Sequence, residues 1–239
     1  MRKISIVNFK GGTGKTTTVV NLSYALSLKD YKVLIIDCDT QGTIANWFGV
    51  INPENTLYEL LIDEVKLKDC IYQVRNNLDI IASNKFLARI ELVLAKEKDI
   101  EKAFKKRFKV LKGYDFVFLD CPPSLSIINL NALEYAEEIF LPVSMDYLAL
   151  RGIKQVIELL PKNIKLTKII PTFYDQRTRK SKEILEDLKS FFKDKVTKPI
   201  RVNVRLSECS SFHKTIFEYE PGSRGAIDYK SLVEEIIIK

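Results

Sequence analysis

Short runs of apolar, mostly β-branched residues recur along the chain, separated by stretches in which apolar positions return every three or four residues. Ile4-Ser5-Ile6-Val7, Lys32-Val33-Leu34-Ile35-Ile36-Asp37, Leu78-Asp79-Ile80-Ile81-Ala82 and Tyr114-Asp115-Phe116-Val117-Phe118-Leu119-Asp120 read as strands, as do residues 139–143 and 168–173. Runs that are apolar from end to end belong to strands covered on both faces, the habit of parallel sheets. Between them, Val19, Val20, Leu22 and Ala25 mark an amphipathic helix, and residues 56–62 a short helix with Thr56 as N-cap. Further helices are predicted over 86–109, around 128–136, from 152 to just before Pro161, over 181–192 and over 226–238. Most of residues 43–75 carries little pattern. Alternating strands and helices predict an α/β fold: a mostly parallel, twisted sheet flanked by helices on both faces.

The first strand runs into Phe9-Lys10-Gly11-Gly12-Thr13-Gly14-Lys15-Thr16-Thr17, and the first helix follows directly. Gly11, Gly12 and Gly14 permit backbone angles that let consecutive amide N–H groups converge on one anion. The helix starting near Lys15 points its positive end at the same place. Lys15 supplies a full charge for the β- and γ-phosphates, and the Thr16 hydroxyl suits Mg²⁺. Residues 10–17 therefore describe a nucleoside triphosphate site, and residues 1–239 a single-domain P-loop NTPase. The loop departs from G-x-x-x-x-G-K-[ST] by carrying Phe9 where glycine is usual, and it holds a second lysine, Lys10. Lys10 is either a solvated loop lysine or a second phosphate contact, one that could serve a nucleotide held by another subunit.

Two carboxylate elements complete the chemistry. Asp37-Cys38-Asp39-Thr40-Gln41-Gly42 stands at the carboxyl end of a buried strand, where α/β sheets place ligands. Either its aspartates cap a turn, or Asp39 lies near the γ-phosphate and orients the attacking water. Asp120 ends another apolar strand before Cys121-Pro122-Pro123-Ser124. Beside a P-loop it fits the carboxylate that holds Mg²⁺ directly or through water. ATP and Mg²⁺ are the expected cofactors, and hydrolysis is the expected reaction.

The chain's 239 residues, 46% of them hydrophobic, are enough to bury a full core in one domain. The first strand begins almost at once, so no signal or transit peptide is expected. No apolar run approaches the roughly 18–20 residues of a membrane span. Cys38, Cys70, Cys121 and Cys209 form no C-x-x-C pair and read as reduced thiols in a cytoplasm, although spacing alone leaves an iron–sulfur cluster shared by two subunits open. The net charge of +7 becomes informative where it clusters. It collects in the last third of the chain, where Lys182, Lys189, Arg205 and Lys214 are candidates for DNA phosphates. The competing reading is a solvated face, and the same choice holds for the lysines between 96 and 109. Phosphate binding without base readout would weaken steeply with salt.

K-G-G-T-G-K-T-T resembles the deviant P-loop of the ParA/MinD ATPases, which carries this second lysine. Asp37 to Gly42 is similar to the family's D-x-D-P-Q-G, with Thr40 replacing proline, and Asp120 to Ser124 to its D-x-P-P element. Residues 201–216 resemble P-R-N-V-R-L-x-E-A-P-S-x-G-K-x-I, with Arg201 and Ser210 replacing its prolines. The resemblance runs from Ile4 to about Glu235 and is to the short ParA/Soj type, without an N-terminal helix-turn-helix.

It implies that Lys10, Lys15 and Asp39 act in catalysis, with Lys10 reaching the other subunit's nucleotide in an ATP-dependent homodimer. It places Phe173, Arg201 and Asn203 against the adenine, and Thr16 and Asp120 on the metal. It further implies non-specific DNA binding, best matched at Arg205 and Lys214, and a ParB-like centromere-binding partner that stimulates hydrolysis. The protein would be nucleoid-associated and would segregate a plasmid or chromosome. A ParA-like positioning ATPase for a non-DNA cargo would share every residue named. A MinD-like membrane ATPase or an iron–sulfur reductase are the more distant alternatives. Ile236-Ile237-Ile238-Lys239 is too short and too poor in basic residues for a membrane anchor, so no membrane partner is expected. His213, the only histidine, reads as a surface or interface residue.

Overall fold

The computed structural model describes residues 1–62, 64–94, 99–161 and 164–237. Its strands are β1 (Arg2–Ile6), β2 (Val33–Asp37), β3 (Ile71–Arg75), β4 (Leu78–Ile81), β5 (Phe116–Asp120), β6 (Glu138–Ser144) and β7 (Lys165–Thr172). They form one sheet in the order β3-β4-β2-β5-β1-β6-β7. Every pairing is parallel except β3 with β4. From β1 the chain goes to β2 on one side, and from β5 it crosses to β6 on the other. Such a crossing opens a crevice outside the carboxyl ends of the central strands.

Side chains alternate across β2 and β5, yet every position of both strands is buried. Helices on both faces are the reason. Val33, Ile35, Phe116 and Phe118 pack with Val19, Leu22 and Leu26 of the helix Lys15–Ser27 and with Leu232, Val233 and Ile236 of the helix Arg224–Ile237. Leu34, Ile36, Val117 and Leu119 pack on the opposite face with Phe104, Leu133, Val156 and Leu188. Each such side chain, fully buried, stabilises the fold by about 1.5–3 kcal/mol relative to exposure.

Two features differ from the sequence reading. β3 is an antiparallel edge strand in a stretch without clear pattern, joined to β4 by a two-residue turn in which Asn77 has a φ of +57°. Asparagine tolerates that left-handed conformation, which the tight hairpin requires. The single helix expected over 86–109 is instead a series of short pieces. They are a 3₁₀ turn Lys85–Arg89, a helix Ile90–Leu94, a 3₁₀ turn Ile100–Lys102 and a helix Ala103–Arg107; residues 95–98 lie outside the described residues.

Asn131, from the helix Ile127–Tyr135, accounts for the second break. Its Oδ1 accepts the Phe104 N–H at 3.1 Å, and its Nδ2 donates to the Ile100 and Ile127 carbonyls at 2.8 and 2.9 Å. A buried side chain thus takes backbone bonds that a continuous helix would have kept. Asn131→Ala would leave the buried Phe104 N–H without its side-chain partner. We expect a loss of about 1–3 kcal/mol in urea unfolding; unchanged stability would show that the break does not depend on Asn131.

Candidate nucleotide site

The glycine loop lies outside the carboxyl end of β1. Gly12 and Gly14 have φ of +69° and +83°, and Gly14 caps the helix Lys15–Ser27, its carbonyl accepting the Thr18 N–H at 2.9 Å. Neighbouring strands hold the loop in shape. The buried Asn8 accepts the Lys10 N–H at 2.9 Å and donates to the Pro142 carbonyl of β6 at 2.8 Å. Thr172, at the end of β7, donates its hydroxyl to the Thr13 carbonyl at 2.9 Å. Gly11 and Gly12 are exposed, while the Thr13 hydroxyl is buried without a partner.

The two lysines of the loop differ in setting. Lys15 is buried, and its Nζ donates to the Lys10 carbonyl at 3.3 Å. Burial lowers its pKa, and the negative field of Asp120 opposes that shift. Lys10 is exposed and pairs with Asp146 at 2.5 Å. Asp146 also accepts the Ser144 hydroxyl and the Leu148 N–H, at 2.6 and 3.0 Å. No local signal in the sequence marks Asp146 as the partner of a lysine 136 residues away.

Asp37 and Asp120 face each other in register on β2 and β5. Asp120 Oδ2 accepts the Thr16 hydroxyl at 2.7 Å, and its Oδ1 is buried without a partner. Burial pushes the Asp120 carboxyl up to about 7, against the pull of Thr16 and Lys15. A hydroxyl, a carboxylate and an orphaned carboxylate oxygen beside a phosphate loop suit a small, hard dication that keeps several waters. The residues present therefore fit Mg²⁺.

Asp37 is fully buried, and burial together with Asp120 raises its pKa well above the usual value. Its oxygens accept the Asp39 and Ile44 N–H groups at 3.0 and 3.1 Å, which clasps the turn carrying Asp39. Asp39 accepts the Gln41 N–H at 3.0 Å, and its carbonyl accepts the Gly42 N–H at 3.1 Å. Gly42 has a φ of +61°, and a Cβ there would stand 2.7 Å from the Ser83 carbonyl oxygen. The turn is therefore closed by its own bonds despite Thr40. Sequence reasoning missed the clasp because it needs Asp37 wholly inside.

A cavity of about 310 Å³ adjoins the loop, lined by Gly14, Thr17, Phe173, Arg201, Asn203 and Tyr229, among others. The three residues proposed for the base thus converge beside the P-loop. Phe173 has a φ of +54°, a strained conformation for an aromatic residue, and its ring stands against Gly14. The Arg201 guanidinium is committed to Asp228 of the C-terminal helix at 2.6 Å, and its backbone N–H donates to the same carboxylate at 2.9 Å. Asn203 accepts the Arg205 N–H at 2.9 Å.

The basic residues sit on two parts of the fold. Lys182 and Lys189 are exposed on the helix Arg179–Phe192, while Arg205 and Lys214 are exposed on the segment before the C-terminal helix. Arg205 is countered by Glu208 at 2.8 Å and Glu220 at 2.9 Å. Lys214 has no ion pair among the described residues. All four cysteines are buried, so none offers a thiolate to a cluster at a subunit surface. Among the described residues no helix is long and apolar enough to cross a membrane.

A family model described as an AAA domain matches residues 1–172. The chain is 36% identical over 245 residues to the sporulation initiation inhibitor protein Soj of Bacillus subtilis (strain 168), covering 98% of this chain and 97% of that protein. It is 32% identical over 248 residues to the chromosome partitioning protein ParA of Myxococcus xanthus (strain DK1622), covering 99% and 88%. Among solved structures, a putative plasmid partition protein from Borrelia burgdorferi B31 bound to AMPPNP superposes with a TM-score of 0.86 at 27% identity, covering 99% of this chain and 98% of that one.

The raised carboxyl has a consequence for stability. An acid whose folded pKa lies above its unfolded value takes up a proton on folding, so its contribution is full below the ordinary value of 3.8 and is lost as pH rises through about 7. In nucleotide-free protein held in a chelator, wild-type stability should fall relative to Asp120→Asn as pH rises from about 4 to about 7. Urea unfolding across that range measures it, and a difference that does not change with pH would refute the shift.

Proposed function

The chain belongs to the Soj/ParA family of partition ATPases, and on that premise we propose how its site binds ATP, hydrolyses it and couples it to DNA. The observation that carries the reading is the Thr16–Asp120 pair, with its orphaned oxygen, in contact with a glycine loop whose lysine is buried. The triphosphate lies along residues 10–17, with backbone N–H groups and Lys15 on its β- and γ-oxygens. Thr16 and Asp120 hold Mg²⁺, which when bound neutralises charge that develops on the phosphates. Asp39, on a turn fixed by Asp37, faces the γ-phosphate and orients the attacking water. Phe173, Asn203 and the stem of Arg201 wall the adenine.

Hydrolysis is coupled to assembly and to DNA. Lys10 leaves Asp146 and contacts the nucleotide of a second copy, closing an ATP-dependent homodimer. Lys182, Lys189, Arg205 and Lys214 then meet DNA phosphates without reading bases, and the protein associates with the nucleoid. A ParB-like partner stimulates hydrolysis, which opens the dimer and releases DNA. Arg205 must leave two carboxylates to reach a phosphate, whereas Lys214 need not. Lys214 therefore carries the larger share.

Lys15→Ala should abolish ATP binding in a fluorescent-nucleotide titration; wild-type affinity would refute the cradle. Asp39→Ala should bind ATP normally, lose about a hundredfold or more in turnover and accumulate an ATP dimer in light scattering. Normal hydrolysis by that variant would remove Asp39 from the reaction. DNA affinity of the ATP form should fall steeply with salt, and Lys214→Ala should weaken it more than Arg205→Ala, lowering the salt slope by about one unit. A flat salt response would remove the phosphate surface.

A further inference from the structure

The segment that carries Lys214 is tied to two elements of the candidate site. One tie comes from the P-loop helix. Asn21, fully buried, accepts the Ile216 N–H at 2.8 Å and donates to the Thr17 carbonyl at 2.8 Å. The other comes from the helix Thr43–Trp47, which follows directly on the Asp39 turn. Trp47 Nε1 donates to the Lys214 carbonyl at 2.8 Å, and His213 Nδ1–H donates to the Asn46 carbonyl at 2.5 Å. The start of that helix is fixed by the same Asp37 carboxylate that accepts the Asp39 N–H.

We propose that residues 213–216 act as a strut that turns the spacing between the glycine loop and the Asp39 turn into the position of Lys214, with Trp47 and His213 as its positioning residues. The inference rests on the nucleotide-dependent DNA binding proposed above. The γ-phosphate is what ATP has and ADP lacks, and the Asp39 turn faces it. A ligand that draws this turn towards the loop pulls on one tie of the strut and leaves the Asn21 tie in place. Differential contact of that kind is what a ligand needs to shift a conformational equilibrium.

The connection is short and stiff. Asp39 is joined by a single hydrogen-bonded turn to a helix of 5 residues whose last residue is Trp47. Trp47 is buried, so moving its indole without Lys214 would leave a buried N–H unpaired. His213 is held at a φ of +54°, a conformation uncommon for residues other than glycine, and its carbonyl accepts Arg75, which is itself paired with Glu218 at 2.6 Å. Strain of this sort persists only where the surroundings over-determine it, and it collects at switch regions.

Trp47→Phe removes the indole donor and keeps an aromatic ring in place. His213→Ala removes the other donor at an exposed position. In both variants ATP affinity should match wild type, while the ratio of DNA affinities in the ATP-analogue and ADP forms should fall at least about fivefold, read by anisotropy of a labelled DNA duplex. His213→Asn, which retains a donor at the same reach and tolerates the left-handed backbone, should recover most of the ratio. Amide hydrogen exchange over 209–216 should respond to the analogue in wild type and not in Trp47→Phe or His213→Ala. Variants that keep the wild-type ratio and exchange response would overturn the strut, as would variants that lose DNA affinity equally in both nucleotide states. If wild type itself binds DNA equally in both states, the functional reading fails, and the exchange response alone decides the strut.

Discussion

Two carboxylates and an ammonium are buried together at the carboxyl ends of β1, β2 and β5, and the structure depends on how they are reconciled. Asp37 and Asp120 are in register on neighbouring strands, so Asp120 adds to the cost that burial sets on ionising Asp37. The chain answers unevenly. Asp37 receives two backbone N–H groups and becomes part of the scaffold. Asp120 receives one hydroxyl and keeps an oxygen unsatisfied, so the free energy left over at the site favours a cation. Asp120 and Asp39 oppose the lowering that burial imposes on the Lys15 pKa.

Such a cluster needs a rigid frame, and the frame is the doubly covered sheet. β2 and β5 are buried at every position, so they cannot slide to relieve the repulsion between Asp37 and Asp120. Asn8 and Thr172 extend that rigidity to the glycine loop by tying it to β6 and β7. Site and core are therefore the same construction: apolar faces fix the strands, and the strand ends fix the charges.

Much of this was legible in the sequence. Apolar runs covered on both faces announced the parallel strands. The glycine loop and the two terminal aspartates announced the site, because local backbone chemistry dictates both. What stayed hidden depends on partners far away in the chain. The stretch 86–109 is rich in helix-forming residues, yet Asn131 takes its backbone bonds. Arg201 stands at the base pocket, yet its guanidinium is held by Asp228. β3 was unreadable because an edge strand is half-buried and lacks the continuous apolar run of its neighbours. Neither periodicity nor spacing encodes a side chain more than twenty residues distant.

The two loop lysines show how one motif can hold a fixed charge and a movable one. Lys15 is buried, and any excursion would separate it from Asp120 in a medium of low dielectric, where charge separation is costly. Lys10 is 46% exposed and its partner Asp146 is 27% exposed, so their pair belongs to the class worth about 0–1 kcal/mol. Releasing Lys10 from Asp146 therefore costs little, and a triphosphate carrying several negative charges outcompetes a single carboxylate for it. The proposed dimer contact needs no unfolding of the loop, only the transfer of an exposed lysine from a weak partner to a stronger one. In the proposed reading, burial selects Lys15 to hold the nucleotide, and exposure leaves Lys10 free to be shared.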